Sequence, residues 1–117
     1  MTMEEAAIRY GIPKKIFLEF KAWGLLNREG KDRVPERYDD SDLQLISLMI
    51  TLHQIGFSSE EVRRYMKLML EGEDTAMERM KMLNHRRKQA LEEIHFREKQ
   101  LENLDYLRHQ IRSIERI

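Results

Sequence analysis

The side chains that could bind a metal or transfer a proton are four histidines and the carboxylates near them. His85, His95 and His109 are ten and fourteen residues apart, so no two of them share one turn of a helix. Glu92 and His95 have the spacing of half a di-iron site, which needs a second such pair and two further glutamates. Solvated side chains on a charged helix are the alternative. With no cysteine and no catalytic motif, we predict no enzyme activity, metal site or cofactor.

Contact with phosphate is the other chemistry that the charged residues could supply. The 117-residue chain has 21 basic and 21 acidic side chains, which gives a formal net charge of zero. Residues 1–40 are balanced, residues 41–74 are acidic and residues 75–117 are basic. Nucleic-acid-binding domains usually carry an excess of Lys and Arg on one face. In this chain only a local cluster of basic residues could provide such a face.

The C-terminal part of the chain is predicted to be one long helix, because residues 75–117 contain no Gly or Pro. Such a helix would be about 65 Å long, too long to bury its apolar side against a small domain. Its apolar residues recur mostly at steps of three and four, the pattern of a coiled-coil seam. We therefore predict a homodimer. The residues predicted to form its interface are Leu83, Leu91, Ile94, Leu101, Leu104 and Ile111.

The part of the chain before this helix is predicted to begin with a helix-turn-helix. Thr2–Glu5 has the pattern of a capping box that starts a first helix, and Gly11 ends that helix. Pro13 fits the first turn of a second helix, which ends at Gly24. Two short helices joined by a turn of about four residues are the skeleton of a helix-turn-helix.

After the helix-turn-helix, the sequence predicts a loop and two further helices. Residues 27–39 contain Gly, Pro and alternating charges, which are typical of an exposed loop or a small two-stranded wing. A third helix is predicted to begin near Ser41 or Asp42 and to stop at Gly56, and a fourth to cover about residues 58–70. The side chains predicted to form one core are Ile16, Phe17, Phe20, Leu26, Leu43, Ile46, Met49, Ile50, Phe57 and Val62.

The sequence shows no segment directed to a membrane. No apolar run approaches the roughly 20 residues that span a bilayer, and the N-terminus lacks the basic and then apolar pattern of a signal peptide. We predict a soluble, cytoplasmic protein with no membrane partner.

Six short segments, taken in order, resemble the MerR family of bacterial transcription regulators. They are Glu5–Ala7 followed by Gly11–Ile12, then Gly24–Leu26, Tyr38–Leu43, Ile55–Val62 and Leu104–Leu107. Ile55–Val62 is similar to the family's turn between the paired helices of its second wing. The resemblance covers essentially the whole chain.

The resemblance implies a mostly α fold with two parts. Residues 1–72 would form a winged helix-turn-helix DNA-binding domain, and residues 73–117 a dimerisation helix that pairs as an antiparallel coiled coil. The homodimer would bind a pseudo-palindromic promoter site in double-stranded DNA and act on RNA polymerase. The residues implied to contact DNA are Lys14, Lys15, Lys21, Arg33, Arg37, Arg63 and Arg64.

The sequence departs from the family pattern in the recognition helix and in the wing. The recognition helix of the family usually reads Thr-Ile-Arg-Tyr-Tyr-Glu, and Leu18, Glu19 and Phe20 differ from it. Glu36 stands where the wing usually has an Arg, and a carboxylate there would repel phosphate. These departures support a second hypothesis. In it the chain is a DNA-binding-deficient interaction module, acting as a heterodimer partner, adaptor or antagonist.

Overall fold

The computed structural model of the chain describes residues 1–25 and 37–115. It divides into two compact units, Met1–Asp74 and Thr75–Ile117. We call the first unit the head and the second the tail, and each is described by itself. The described residues contain no helix with the length and apolar character needed to cross a membrane.

The described residues of the head form four α-helices, and the third of these is central. They are α1 (Met3–Tyr10), α2 (Lys14–Ala22), α3 (Asp40–Gln54) and α4 (Ser59–Glu71). α3 packs against both α2 and α4. Its apolar residues lie on nearly all sides of the helix, which suits an element covered from two directions.

The turn between α1 and α2 follows from local sequence chemistry. The Thr2 hydroxyl accepts a hydrogen bond from the backbone N–H of Glu5 and begins α1. Gly11 has φ 63°, a left-handed conformation that ends the helix and favours glycine. Pro13 is the N-cap residue of α2, one position before the first helical turn in which the sequence placed it. The predicted pair of short helices is confirmed.

The start of α3 was predicted near Ser41 or Asp42, and the structure places it one residue before Ser41. α3 begins at Asp40, because Asp39 and Asp42 form a capping box. The Asp39 carboxylate accepts from the Asp42 N–H at 2.9 Å, and the Asp42 carboxylate accepts from the Asp39 N–H at 3.0 Å. The usual capping box has Ser or Thr at the N-cap and Glu three residues later, whereas here both residues are Asp. The box predicted for α4, between Ser58 and Glu61, is confirmed.

Most of the predicted core residues are buried. They are Ile16, Phe17, Phe20, Ile46, Met49, Phe57 and Val62. Leu43 and Ile50 are only partly buried, which corrects the prediction, because both line an open groove of about 540 Å³ that Tyr10 and Ile12 also line. Leu26 lies outside the described residues. Buried side chains that the prediction omitted are Ala6, Ile12, Leu25, Tyr38, Leu52 and Met66.

Tyr38 holds the chain against α2 just after the residues that are not described. Its ring lies 5.2 Å from the Phe17 ring and 6.0 Å from the Phe20 ring, between centroids. The Tyr38 backbone N–H donates to the Met1 carbonyl at 2.6 Å. Beside it, Thr2 and Arg37 form an isolated antiparallel β-bridge. The predicted wing falls mostly on residues 26–36, outside the described residues, and stays a prediction.

The tail is one long helix, α5 (Ala76–Glu115), preceded by a short 3-10 turn (Glu73–Thr75). α5 therefore begins one residue later than the sequence predicted, and Thr75 belongs to the turn. The Thr75 hydroxyl accepts a hydrogen bond from Arg79 Nε at 3.2 Å. With 40 residues, α5 is about 60 Å long. Every described residue from Leu91 onward is exposed in the single chain.

Candidate nucleic-acid interface

The helix α2 has one face in the core and one face in solvent. Ile16, Phe17 and Phe20 are buried at spacings of one and three residues. The residues that are exposed are Lys14, Lys15, Leu18, Lys21 and Ala22. Their spacings of one, three and four residues place them on one side of the helix. We call these five residues the α2 face.

The α2 face carries three ammonium groups and no carboxylate. Lys14 and Lys15 occupy the first turn of α2, and Lys21 the last. Pro13 makes no side-chain hydrogen bond to the start of the helix. The positive end of the helix dipole and the two lysines therefore create positive electrostatic potential at the same place. Helix N-termini of this kind bind anions. This arrangement suits the phosphate groups of a nucleic acid.

Glu19 is the acidic residue of α2, and it lies off the α2 face. Its Oε1 atom is 3.0 Å from Nε2 of His53 on α3, and the two side chains are 12% and 22% exposed respectively. The carboxylate is an acceptor, so the bond forms when His53 Nε2 carries a proton. Glu19 is one of the departures from the family's recognition helix. The burial of Phe17 and Phe20 turns it toward α3.

Replacing His53 should weaken the packing of α2 on α3. In His53→Ala the Glu19 carboxylate loses its partner at a largely enclosed position, and we expect a loss of about 1–3 kcal/mol in unfolding free energy. A double-mutant cycle with Glu19→Ala, measured by urea denaturation, isolates the pair from other effects of each change. Additive losses in the double variant would contradict a direct interaction between the two side chains.

The other predicted contact residues lie on different parts of the head. Arg63 and Arg64 are exposed on α4, and Arg37 is exposed next to the bridge with Thr2. Lys67 is also exposed on α4, one turn after Arg63, and the sequence analysis omitted it although the spacing of four places both on one side. Arg33 and Glu36 lie outside the described residues.

The histidines of the tail do not assemble a metal site in the described residues. No group of three or more His, Cys, Asp or Glu side chains there could hold a metal ion. His95 Nδ1 lies 3.8 Å from Glu98 Oε2, and both side chains are well exposed. This contact has the character of a solvated surface pair.

The predicted dimer residues of α5 form an apolar stripe on the single chain. Leu91, Ile94, Leu101, Leu104 and Ile111 are exposed, and Leu83 is half-buried. Ile94 and Leu101 are seven residues apart, as are Leu104 and Ile111. Residues seven apart occupy the same position of a coiled-coil heptad and therefore lie along one line of the helix.

An ion pair flanks this stripe. Arg86 donates to both carboxylate oxygens of Glu93, at 3.0 and 3.3 Å. The hydrogen bond to Arg86 and its positive charge lower the pKa of Glu93. A lowered pKa in the folded state favours the charged form, so the small stabilisation is present above the ordinary Glu pKa and is lost as the pH falls through the lowered value.

Comparison with known proteins finds that the chain is similar to transcription regulators. Residues 1–68 match the family model described as MerR HTH family regulatory protein. The chain is 29% identical over 106 residues to a protein of Haemophilus influenzae (strain KW20 Rd) described as an uncharacterized HTH-type transcriptional regulator, and the match covers 90% of this chain and 78% of that protein. It is similar, at a TM-score of 0.66 and 29% identity, to HiNmlR, "a MerR family regulator lacking the sensor domain, bound to promoter DNA". That match covers 90% of this chain and 84% of HiNmlR.

Proposed function

This chain belongs to the MerR HTH family of regulatory proteins, and we propose that it binds promoter DNA as a homodimer through the α2 face. The observation that carries the proposal is the composition of that face, which has three lysines, the N-terminus of a helix and no carboxylate. A helix of this size fits the major groove of DNA. The relationship to HiNmlR, which is bound to promoter DNA in its crystal structure, supports the same activity.

The position of Glu19 helps to decide whether the chain binds DNA or is a DNA-binding-deficient interaction module. A carboxylate on the α2 face would oppose phosphate, but Glu19 is bonded to His53 and nearly enclosed. Of the other two departures on this helix, Phe20 is buried in the core and Leu18 carries no charge. The interaction module is therefore not favoured.

We further propose how the other parts of the chain contribute. Residues 1–72 form the DNA-binding domain, with Lys14, Lys15 and Lys21 in the groove. Arg33 and Arg37 contact phosphate from the first wing, and Arg63 and Arg64 from the second. Residues 73–117 form the dimerisation helix, so the two heads bind a pseudo-palindrome whose symmetry mirrors that of the protein.

A regulator of this type needs no catalytic group, and we propose that the chain is not an enzyme. RNA polymerase is the partner on which a promoter-bound dimer would act. Because the chromosome lies in the bacterial cytoplasm, we assign the protein to the same compartment.

The salt dependence of binding tests the proposal. Each phosphate contact lowers the slope of log K against log salt by about 0.9, so Lys14→Ala, present twice in a dimer, should flatten the slope by about 2. The measurement is fluorescence anisotropy on the DNA upstream of the protein's own gene, over a series of salt concentrations. Lys15→Ala should do the same if Lys15 contacts phosphate, and should instead change base preference if it reaches a base edge.

Lys99→Ala is the matched control, because Lys99 is an exposed lysine on α5. It should leave the slope unchanged. A wild-type slope near zero would exclude phosphate-driven binding. If Lys14→Ala and Lys99→Ala changed the slope equally, the assignment of α2 to the DNA interface would be wrong.

A further inference from the structure

Leu18 is the large apolar side chain on the α2 face. It is 54% exposed, whereas the other large apolar side chains of α2 are buried in the core. Single exposed apolar residues are common on protein surfaces and need no special explanation. Leu18 differs by its position, because it lies at the centre of a face that is otherwise cationic.

The neighbours of Leu18 are set by the geometry of the helix. Lys14 and Lys15 precede it by four and three residues, and Lys21 follows it by three. Side chains at these spacings lie about 5–6 Å apart at Cβ, so three lysine side chains leave the helix next to the leucine. If the lysines contact phosphates on the two edges of the groove, the centre of the helix faces the base edges. Leu18 is the side chain at that centre.

A leucine side chain has no hydrogen-bond donor or acceptor and can recognise a base edge only by apolar contact. In the major groove the apolar group of the four bases is the 5-methyl of thymine. An isolated leucine surrounded by lysines is also a poor site for an apolar protein partner, because such sites present contiguous apolar area. The chemistry of the face therefore selects thymine as the base opposite Leu18.

We propose that Leu18 is a specificity-determining residue that reads the methyl group of a thymine in each half-site. This inference rests on the proposed function, since it needs α2 to lie in the major groove. It assigns recognition of one base to a side chain without polar atoms. The lysines around it supply affinity through phosphate, and Leu18 supplies sequence preference.

The experiment begins with selection of DNA by the full-length protein. The wild-type chain and Leu18→Ala each select from a library of synthetic duplexes with a randomised central segment. We expect the wild-type site to contain a thymine in each half that Leu18→Ala no longer selects. Uracil is then placed at each thymine in turn, because it keeps the base pair and removes only the methyl group.

Removal of the methyl group opposite Leu18 should weaken wild-type binding about fourfold per half-site, or about sixteenfold for both, which corresponds to about 0.8 kcal/mol for each buried carbon. Leu18→Ala should bind the thymine and uracil duplexes with more nearly equal affinity. Leu70→Ala is the matched control, since Leu70 is a leucine of α4 that is also 54% exposed. It should keep the wild-type dependence on the methyl group.

Three outcomes would overturn the inference. If the wild type binds with a steep salt slope but uracil has no effect at any thymine, DNA binding stands and the reading of thymine by Leu18 fails. If Leu18→Ala loses as much affinity as the wild type on uracil substitution, the methyl group is read by another residue. If the wild type selects no duplex and binds only with zero salt slope, the proposed function and this inference both fail.

Discussion

Phe20→Ala is expected to destabilise the head by about 3–5 kcal/mol. Phe20 is 0% exposed, and its ring lies 6.0 Å from that of Tyr38. Truncation removes the apolar contacts and leaves a cavity between α2 and the segment that carries Tyr38. Small domains have total stabilities of about 5–15 kcal/mol. A large fraction of the variant should therefore be unfolded at moderate temperature.

The chain offers a local reporter for this measurement. Trp23 is the single tryptophan of the sequence, and it lies at the C-cap of α2. Its fluorescence during urea denaturation should report the head, whereas far-ultraviolet circular dichroism also contains the signal of the 40 residues of α5. The expected result is a much lower transition midpoint with a similar slope.

Leu18→Ala is the control on the same helix, and its half-exposed side chain should change stability by no more than about 0.5 kcal/mol. The two variants also separate folding from recognition. Phe20→Ala should lose DNA binding together with the fluorescence transition, and Leu18→Ala should alter base preference with the transition intact. A loss below about 1 kcal/mol for Phe20→Ala would contradict the observed burial.

The head was largely predictable where local chemistry decides the structure. Gly11, Gly24 and Gly56 all have positive φ and lie where the sequence placed the ends of helices. Ser58 and Glu61 form the predicted box. The start of α3 was predicted only approximately, because Asp39 and Asp42 cap each other and this pattern is less distinctive than Ser or Thr followed by Glu.

The surface of the head was harder to predict, because it depends on which side of α2 enters the core. The family motif marks Leu18, Glu19 and Phe20 as departures, and of the three only Phe20 was predicted to lie in the core. The fold separates them, since Phe20 is buried, Glu19 is bonded to α3 and only Leu18 is exposed. The partner of Glu19 is His53, 34 residues away. No local pattern in the sequence connects two residues at that separation.

In the tail, the helix was predictable from the sequence and the partner of its apolar stripe was not. The absence of Gly and Pro predicted α5 to within two residues at each described end. What covers its apolar stripe is not determined by one chain, because any helix of matching pattern would serve. The length of the stripe and the family assignment support a second copy of this chain as the partner.

Replacing Leu101 and Leu104 together by Asp is expected to convert the proposed dimer into monomers. Both leucines are more than half exposed on the single chain, at 58% and 56%, and would be buried in the dimer. Full burial of a leucine contributes about 1.5–3 kcal/mol, and because these side chains are only about half exposed beforehand, dimerisation gains roughly half of that at each of the four leucines in a dimer. The loss of about 3–6 kcal/mol raises the dissociation constant by about 10²–10⁴, before repulsion between the new carboxylates.

Lys99→Asp together with Asn103→Asp is the matched control. These residues are exposed on the side of α5 opposite the two leucines, so the variant adds two aspartates to the same stretch of helix outside the seam. Sedimentation velocity should show dimers for this control and monomers for the leucine variant, while Trp23 fluorescence shows a folded head in both. If the leucine variant still sediments as a dimer, the interface lies elsewhere.

The same pair of variants tests whether dimerisation is needed for DNA recognition. Two heads joined by α5 bind two half-sites in one step, so the second head binds at the high effective concentration that the linkage provides. A monomer has one α2 face and about half of the phosphate contacts, so its salt slope should fall to about half of the wild-type value. Its affinity should also stop depending on the second half of the pseudo-palindrome. A monomeric variant that binds as tightly as the wild type would show that one head suffices, and the assignment of a two-fold site would be wrong.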